Sequence, residues 1–152
     1  MLPSVIHSAV MAGIFAKLPM LTTHLVIFDT AVVDLTERLD DPVETLMSVQ
    51  LGGGTDIAKA MAYCRSLITQ PRRTMVVLVS DLCEGGSRQN LYRTCHDIVE
   101  SGARLIALTA LNERASPDYD RTTAQTLADL GAHVGAMTPE RLADFMAGMM
   151  RT

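Results

Sequence analysis

The stretch LGGGTDIAKA, residues 51–60, runs three glycines into Thr55 and Asp56 before a helical pattern begins. Consecutive glycines let a backbone approach a ligand closely, or let a helix start at an unusual angle. A second chemical feature is Asp81, which closes the apolar run TMVVLVSD at 74–81. A threonine hydroxyl is a neutral hard oxygen and an aspartate carboxylate a charged one. Magnesium takes such oxygens in octahedral geometry and keeps several waters. Thr55 and Asp81 match part of that shell, so a metal would need further ligands from elsewhere. A structural reading competes. Thr55 is a good N-cap for a helix over 56–68, Asp56 suits the positive helix end, and Asp81 can cap a turn. Taken alone, these residues favour the structural reading.

Other chemistries have less to stand on. A phosphate-binding P-loop needs a lysine directly after its last glycine, but Lys59 falls inside the expected helix, and GGGTDI lacks the third glycine of a dinucleotide fingerprint. His7, His24, His96 and His133 show no zinc-binding spacing. The three cysteines, Cys64, Cys83 and Cys95, form no C-x-x-C pair, which points to a reduced, cytoplasmic setting. Each reads as a small hydrophobe; Cys83, in a loop near Asp81, is the one within reach of solvent. G-x-S-x-G is absent, so no nucleophile elbow is expected and the chain reads as a non-enzyme.

The elements that must position Thr55 and Asp81 follow from hydrophobic period. The chain has 152 residues, 48% apolar and 20% charged, with a net charge of −4, which fits one soluble globular domain over 1–152. The negative charge and the 4% aromatic content argue against nucleic-acid and membrane-surface binding. Helices are expected over 3–18, 40–49, 56–68, 90–101 and 120–130, and after Thr138 and Pro139. Strands are expected over 23–30, 74–81, 103–111 and 133–137, with 31–39 as a short edge strand in a hairpin. TMVVLVSD reads as central and covered on both faces. Alternating strands and helices give an α/β class with a mainly parallel sheet, whose ligands sit beyond the carboxyl ends of the strands.

The order THLVIFDT, LGGGTDIAKAM and RTMVVLVSDLCEGG resembles the von Willebrand factor type A domain, and within it the bacterial CoxE-like branch. The resemblance covers nearly the whole chain and implies a Rossmann-like, three-layer α/β/α fold. It implies that Thr55 and Asp81 belong to a metal-ion-dependent adhesion site holding Mg²⁺ or Mn²⁺, completed by an acidic group from a protein partner. It also implies work beside a MoxR-type AAA+ ATPase. One element departs from the pattern: D-x-S-x-S, which in the family ends the first, central strand and supplies three metal ligands, does not occur in this sequence. The expectation is therefore a C-terminal piece beginning at Met1, with weak or no metal binding by itself. Its strands at 23–30 and 74–81 then pair directly, leave a gap or borrow a strand, and exposed edges promote self-association.

Three functions follow. The first is a non-enzymatic interaction module with a metal site partly present. The second is a metal-free remnant of the same fold. The third is a receiver-like phosphoacceptor with Asp81 as acceptor, disfavoured because Asp40 and Asp41 follow an edge strand and no Lys-Pro follows Thr109.

Overall fold

The computed structural model describes residues 22–38, 55–109 and 119–136, together with 144, 147 and 148. The expected helices over 3–18 and 40–49 and the glycines at 52–54 lie outside the described residues, as does the last helix apart from Asp144, Ala147 and Gly148, which are helical. Eight regular elements run in chain order: β1 (Val26–Phe28), β2 (Val32–Asp34), α1 (Ile57–Leu67), β3 (Met75–Val79), α2 (Arg88–Glu100), β4 (Arg104–Thr109), α3 (Arg121–Asp129) and β5 (His133–Ala136). Short 3₁₀ turns at Thr36–Arg38 and Pro71–Arg73 follow β2 and α1.

Strands β3, β4 and β5 form a parallel sheet in chain order, with Leu78 opposite Ala107 and Ala107 opposite Val134. Helices α2 and α3 are the crossovers. Each ends on a glycine with positive φ, Gly102 at 103° and Gly131 at 108°, where the absence of a Cβ lets the chain turn back toward the next strand. β4 is the middle strand, and Leu105 through Thr109 are all buried. The core against α1, α2 and α3 is built from Ile57, Met61, Leu78, Leu91, Cys95, Ile98, Leu105, Ala107 and Leu127. Burying a leucine or isoleucine contributes roughly 1.5–3 kcal/mol each.

β1 and β2 form the expected hairpin, antiparallel with Ile27 opposite Val33. They constitute a separate two-stranded sheet. The Asp29 carboxylate closes the turn by accepting from Ala31 N at 2.7 Å, an arrangement for which aspartate is suited.

One expectation needs correction, and one open alternative is decided. β3 is not covered on both sides: only Leu78 of its five residues is fully buried. The fully covered strand is β4, and the apolar runs of the two are too alike to tell apart by composition. Of the three arrangements open to the strands read at 23–30 and 74–81, direct pairing does not occur among the described residues. Thr74 O accepts from Arg104 N and Ser80 N donates to Leu108 O, so the even positions of β3 face β4. Alternation turns the peptide groups of Met75, Val77 and Val79 to the other edge. Among the described residues no strand pairs with that edge.

Candidate functional site

Thr55 and Asp81 both lie at the carboxyl end of the sheet, one before α1 and the other just after β3. The loop opened by Asp81 carries the contact between them. Gly85 N donates to Thr55 O at 2.9 Å. A Cβ added at Gly85 would stand 2.7 Å from that same oxygen, closer than any side chain tolerates, so the approach depends on glycine. Both Thr55 and Asp81 are half-buried.

Asp81 is held at each of its polar ends. Its Oδ1 accepts from Cys83 N at 3.0 Å, the turn-capping role expected of it, and its carbonyl accepts from Asp120 N at 2.9 Å. Ser80 Oγ accepts from Leu82 N at 3.0 Å. These two side-chain-closed turns bend the chain sharply after β3. Leu82 adopts φ 64°, the only positive φ of a non-glycine residue among those described, while its side chain is completely buried. Left-handed backbone costs a branched residue about 1–2 kcal/mol. The burial of Leu82 more than offsets that cost.

Thr55 does not cap α1. The N-cap is Asp56, whose Oδ1 accepts from Lys59 N at 3.0 Å. Both residue types cap well, and the choice between neighbours depends on where the chain turns. Asp56 N donates in turn to Asp29 O at 2.8 Å, which fixes the hairpin to the start of α1.

Sequence reasoning passed over Glu84. Its Oε1 accepts from Ile57 N at 3.0 Å and Gly86 N at 3.1 Å, and its Oε2 from Ala58 N at 2.8 Å. The sequence signal was an acidic residue just before two glycines, set 27 positions from its helix partner Ile57, and no local pattern reads at that distance. With Lys59 N bonded to Asp56 Oδ1 and Asp56 N to Asp29 O, all four orphan amides of the helix start, those of residues 56 to 59, have partners.

Cys83 is exposed, Cys64 half-buried and Cys95 buried, and none of the three is in a disulfide. Burial, reinforced by the charge of Glu84, pushes the Cys95 thiol up to about 12. Burial also raises that of Cys64, with Asp34 adding to it. Neither is a poised nucleophile at neutral pH.

The donor set fits a divalent ion in part. A threonine hydroxyl and a carboxylate are hard oxygens suited to Mg²⁺. Among the described residues, however, no group of three or more histidines, cysteines, aspartates or glutamates could hold a metal. The carboxylate of Glu84 is directed to helix amides.

A parallel sheet with crossover helices is the α/β architecture expected of a von Willebrand A-type domain. The chain belongs to the family described as VWA domain containing CoxE-like protein, whose model matches residues 1–146. It is 54% identical over 147 residues to the uncharacterized protein YehP of Escherichia coli K12, a match that covers 97% of this chain and 39% of that relative's length. Two solved structures share the fold. The conserved hypothetical protein BatB from Bacteroides thetaiotaomicron superposes with a TM-score of 0.65 at 12% identity, covering 97% of this chain and 86% of that one. An aerotolerance-related membrane protein from Bacteroides fragilis, carrying multiple mutations to serines, gives 0.63 at 10% identity, with 88% and 80% covered. Among the described residues no helix is long and apolar enough to cross a membrane.

Proposed function

We propose that this chain is a non-enzymatic protein-interaction module acting in the bacterial cytoplasm, in which Thr55 and Asp81 are two oxygen donors of a divalent-metal site. The observation that carries the reading is the docking of the Asp81 loop on Thr55 through Gly85, which supports a shared role for the two residues at one end of the sheet. Thr55 would offer its hydroxyl and Asp81 a carboxylate oxygen to Mg²⁺ or Mn²⁺. Bound there, the ion would supply a positive centre able to attract an acidic group of a protein partner. The remaining ligands come from beyond the described residues or from that partner. Family membership makes a MoxR-type AAA+ ATPase the first partner to try.

The test is titration calorimetry with Mn²⁺, followed by pull-down of the ATPase with and without the metal. Thr55→Ala and Asp81→Ala are expected to weaken both. Partner capture that ignores both substitutions and EDTA sinks the metal-dependent reading. It would favour the second one, a metal-free remnant of the same fold.

A further inference from the structure

Helix α1 has no acidic residue in its first turn, although a negative charge there complements the helix dipole. The missing charge is supplied from the Asp81 loop by Glu84, whose carboxylate takes up the first two amides of the helix. The third is already served locally, by Asp56. Glu84 is therefore a link between two parts of the chain rather than an ordinary cap. The same carboxylate accepts from Gly86 N, which folds the loop around it. Between those two bonded points lies Gly85, the residue seated on Thr55. Hydrogen bonds to an ionised acceptor are roughly twice as strong as neutral ones.

We propose that Glu84 is a positioning residue, whose carboxylate ties the loop opened by Asp81 to the start of α1 and so fixes Thr55 and Asp81 relative to each other. Its purpose rests on the metal-site reading above; the tether itself does not.

The experiment is residue-resolved amide exchange by NMR on the whole chain, comparing Glu84→Ala with Asp56→Ala, which removes the helix cap at Lys59 N but no hydrogen bond to the loop. In E84A, exchange at Gly85 and Gly86 rises by about tenfold or more, because their opening becomes local. In D56A, exchange rises at Lys59 and leaves Gly85 as in the wild type. Unchanged protection of Gly85 in E84A overturns the tether. Should E84A fail to fold, E84Q keeps one carbonyl acceptor and gives a smaller rise at Ala58 and Gly86; no rise there overturns it equally.

Mn²⁺ is the metal probe. Its paramagnetic broadening of Thr55 and Asp81 weakens in E84A and persists in D56A. Where the wild type binds Mn²⁺, undiminished broadening in E84A overturns the positioning role. A wild type that ignores Mn²⁺ while Gly85 is freed in E84A sinks the metal reading alone and supports the tether.

Discussion

Helix α1 has two neighbours of opposite character. Toward α2 and the three-stranded sheet it presents Ile57, Ala58 and Met61 to a continuous apolar cluster with Leu78, Leu91 and Cys95. Toward the β1–β2 hairpin it makes mainly polar links. Asp56 N bonds Asp29 O, Lys59 Nζ reaches Thr30 O at 3.3 Å, and Tyr63 donates its hydroxyl to Asp34. The hairpin has its own buried residues, Leu25, Ile27 and Leu35, but among the described residues they stand outside that cluster, and of the hairpin only Phe28 packs against it. Hydrogen bonds exposed to water contribute little net stability, whereas apolar burial contributes in proportion to area. Among the described residues, the sheet and its helices therefore form a cooperative unit and the hairpin is fastened to it. The candidate site lies along the join, with Asp56 N bonded to the hairpin at Asp29 O, Gly85 seated on Thr55, and Glu84 on the amides of Ile57 and Ala58.

The largest effect that would sharpen this contrast is a cavity in the cooperative half. Leu105→Ala should cost about 3 kcal/mol in urea unfolding, and Ile27→Ala distinctly less. Equal losses would merge the two regions into one. Next comes the opening of the native state. The amide of Ala107 in β4 should exchange only through global unfolding, and that of Ile27 about a hundredfold faster or more, through local release of the hairpin. Equal rates measured by NMR would break the comparison.

A smaller effect tests the bend after β3. Gly is normally worse than Ala at a folded position, but at 82 the backbone is left-handed. Both Leu82→Ala and Leu82→Gly lose the buried side chain. The glycine variant should nevertheless be the more stable of the two, by about 1 kcal/mol. The reverse order in thermal melts would remove the claim of strain there.

The smallest effect concerns Asp120, which caps α3 through Thr122 N and Thr123 N and pairs with Arg88 at 3.0 Å. The Thr123 amide, opposed by slight burial and helped by the Thr123 hydroxyl and by Arg88, holds the Asp120 carboxyl below its ordinary 3.8. A carboxyl lowered on folding stabilises the native state above the unfolded value, and that contribution fades as pH falls through the lower folded value. Asp120→Ala should cost about 1 kcal/mol at pH 7, and the gap between variant and wild type should narrow below about pH 4. A gap independent of pH would show the carboxylate's charge to be irrelevant.

The sequence made the cooperative half legible and the join much less so. ARLIALTAL could be read as a buried strand because β-branched and aliphatic residues in an unbroken run have few alternatives. The hairpin was legible from its alternation. The status of β3 was not, since an apolar run looks the same whether one or two neighbours pair with it. Thr55 and Asp81 could be singled out from a glycine loop and a strand end. The cap at Asp56 rather than Thr55 depends on one residue's backbone angles. The role of Glu84 depends on two segments meeting in space, a long-range contact that no local period encodes.

The order of strands in the parallel sheet repeats their order in the chain, and this has a kinetic consequence. Each pairing in residues 75–136 closes only one helix-length crossover, and loop closure grows costly only slowly with length. During refolding, β3, β4 and β5 can therefore assemble stepwise from neighbours, while the hairpin waits for the start of α1 to exist. Pulse-labelled exchange should protect Ala107 before Ile27. The reverse order would mean that the hairpin is the seed on which the rest condenses.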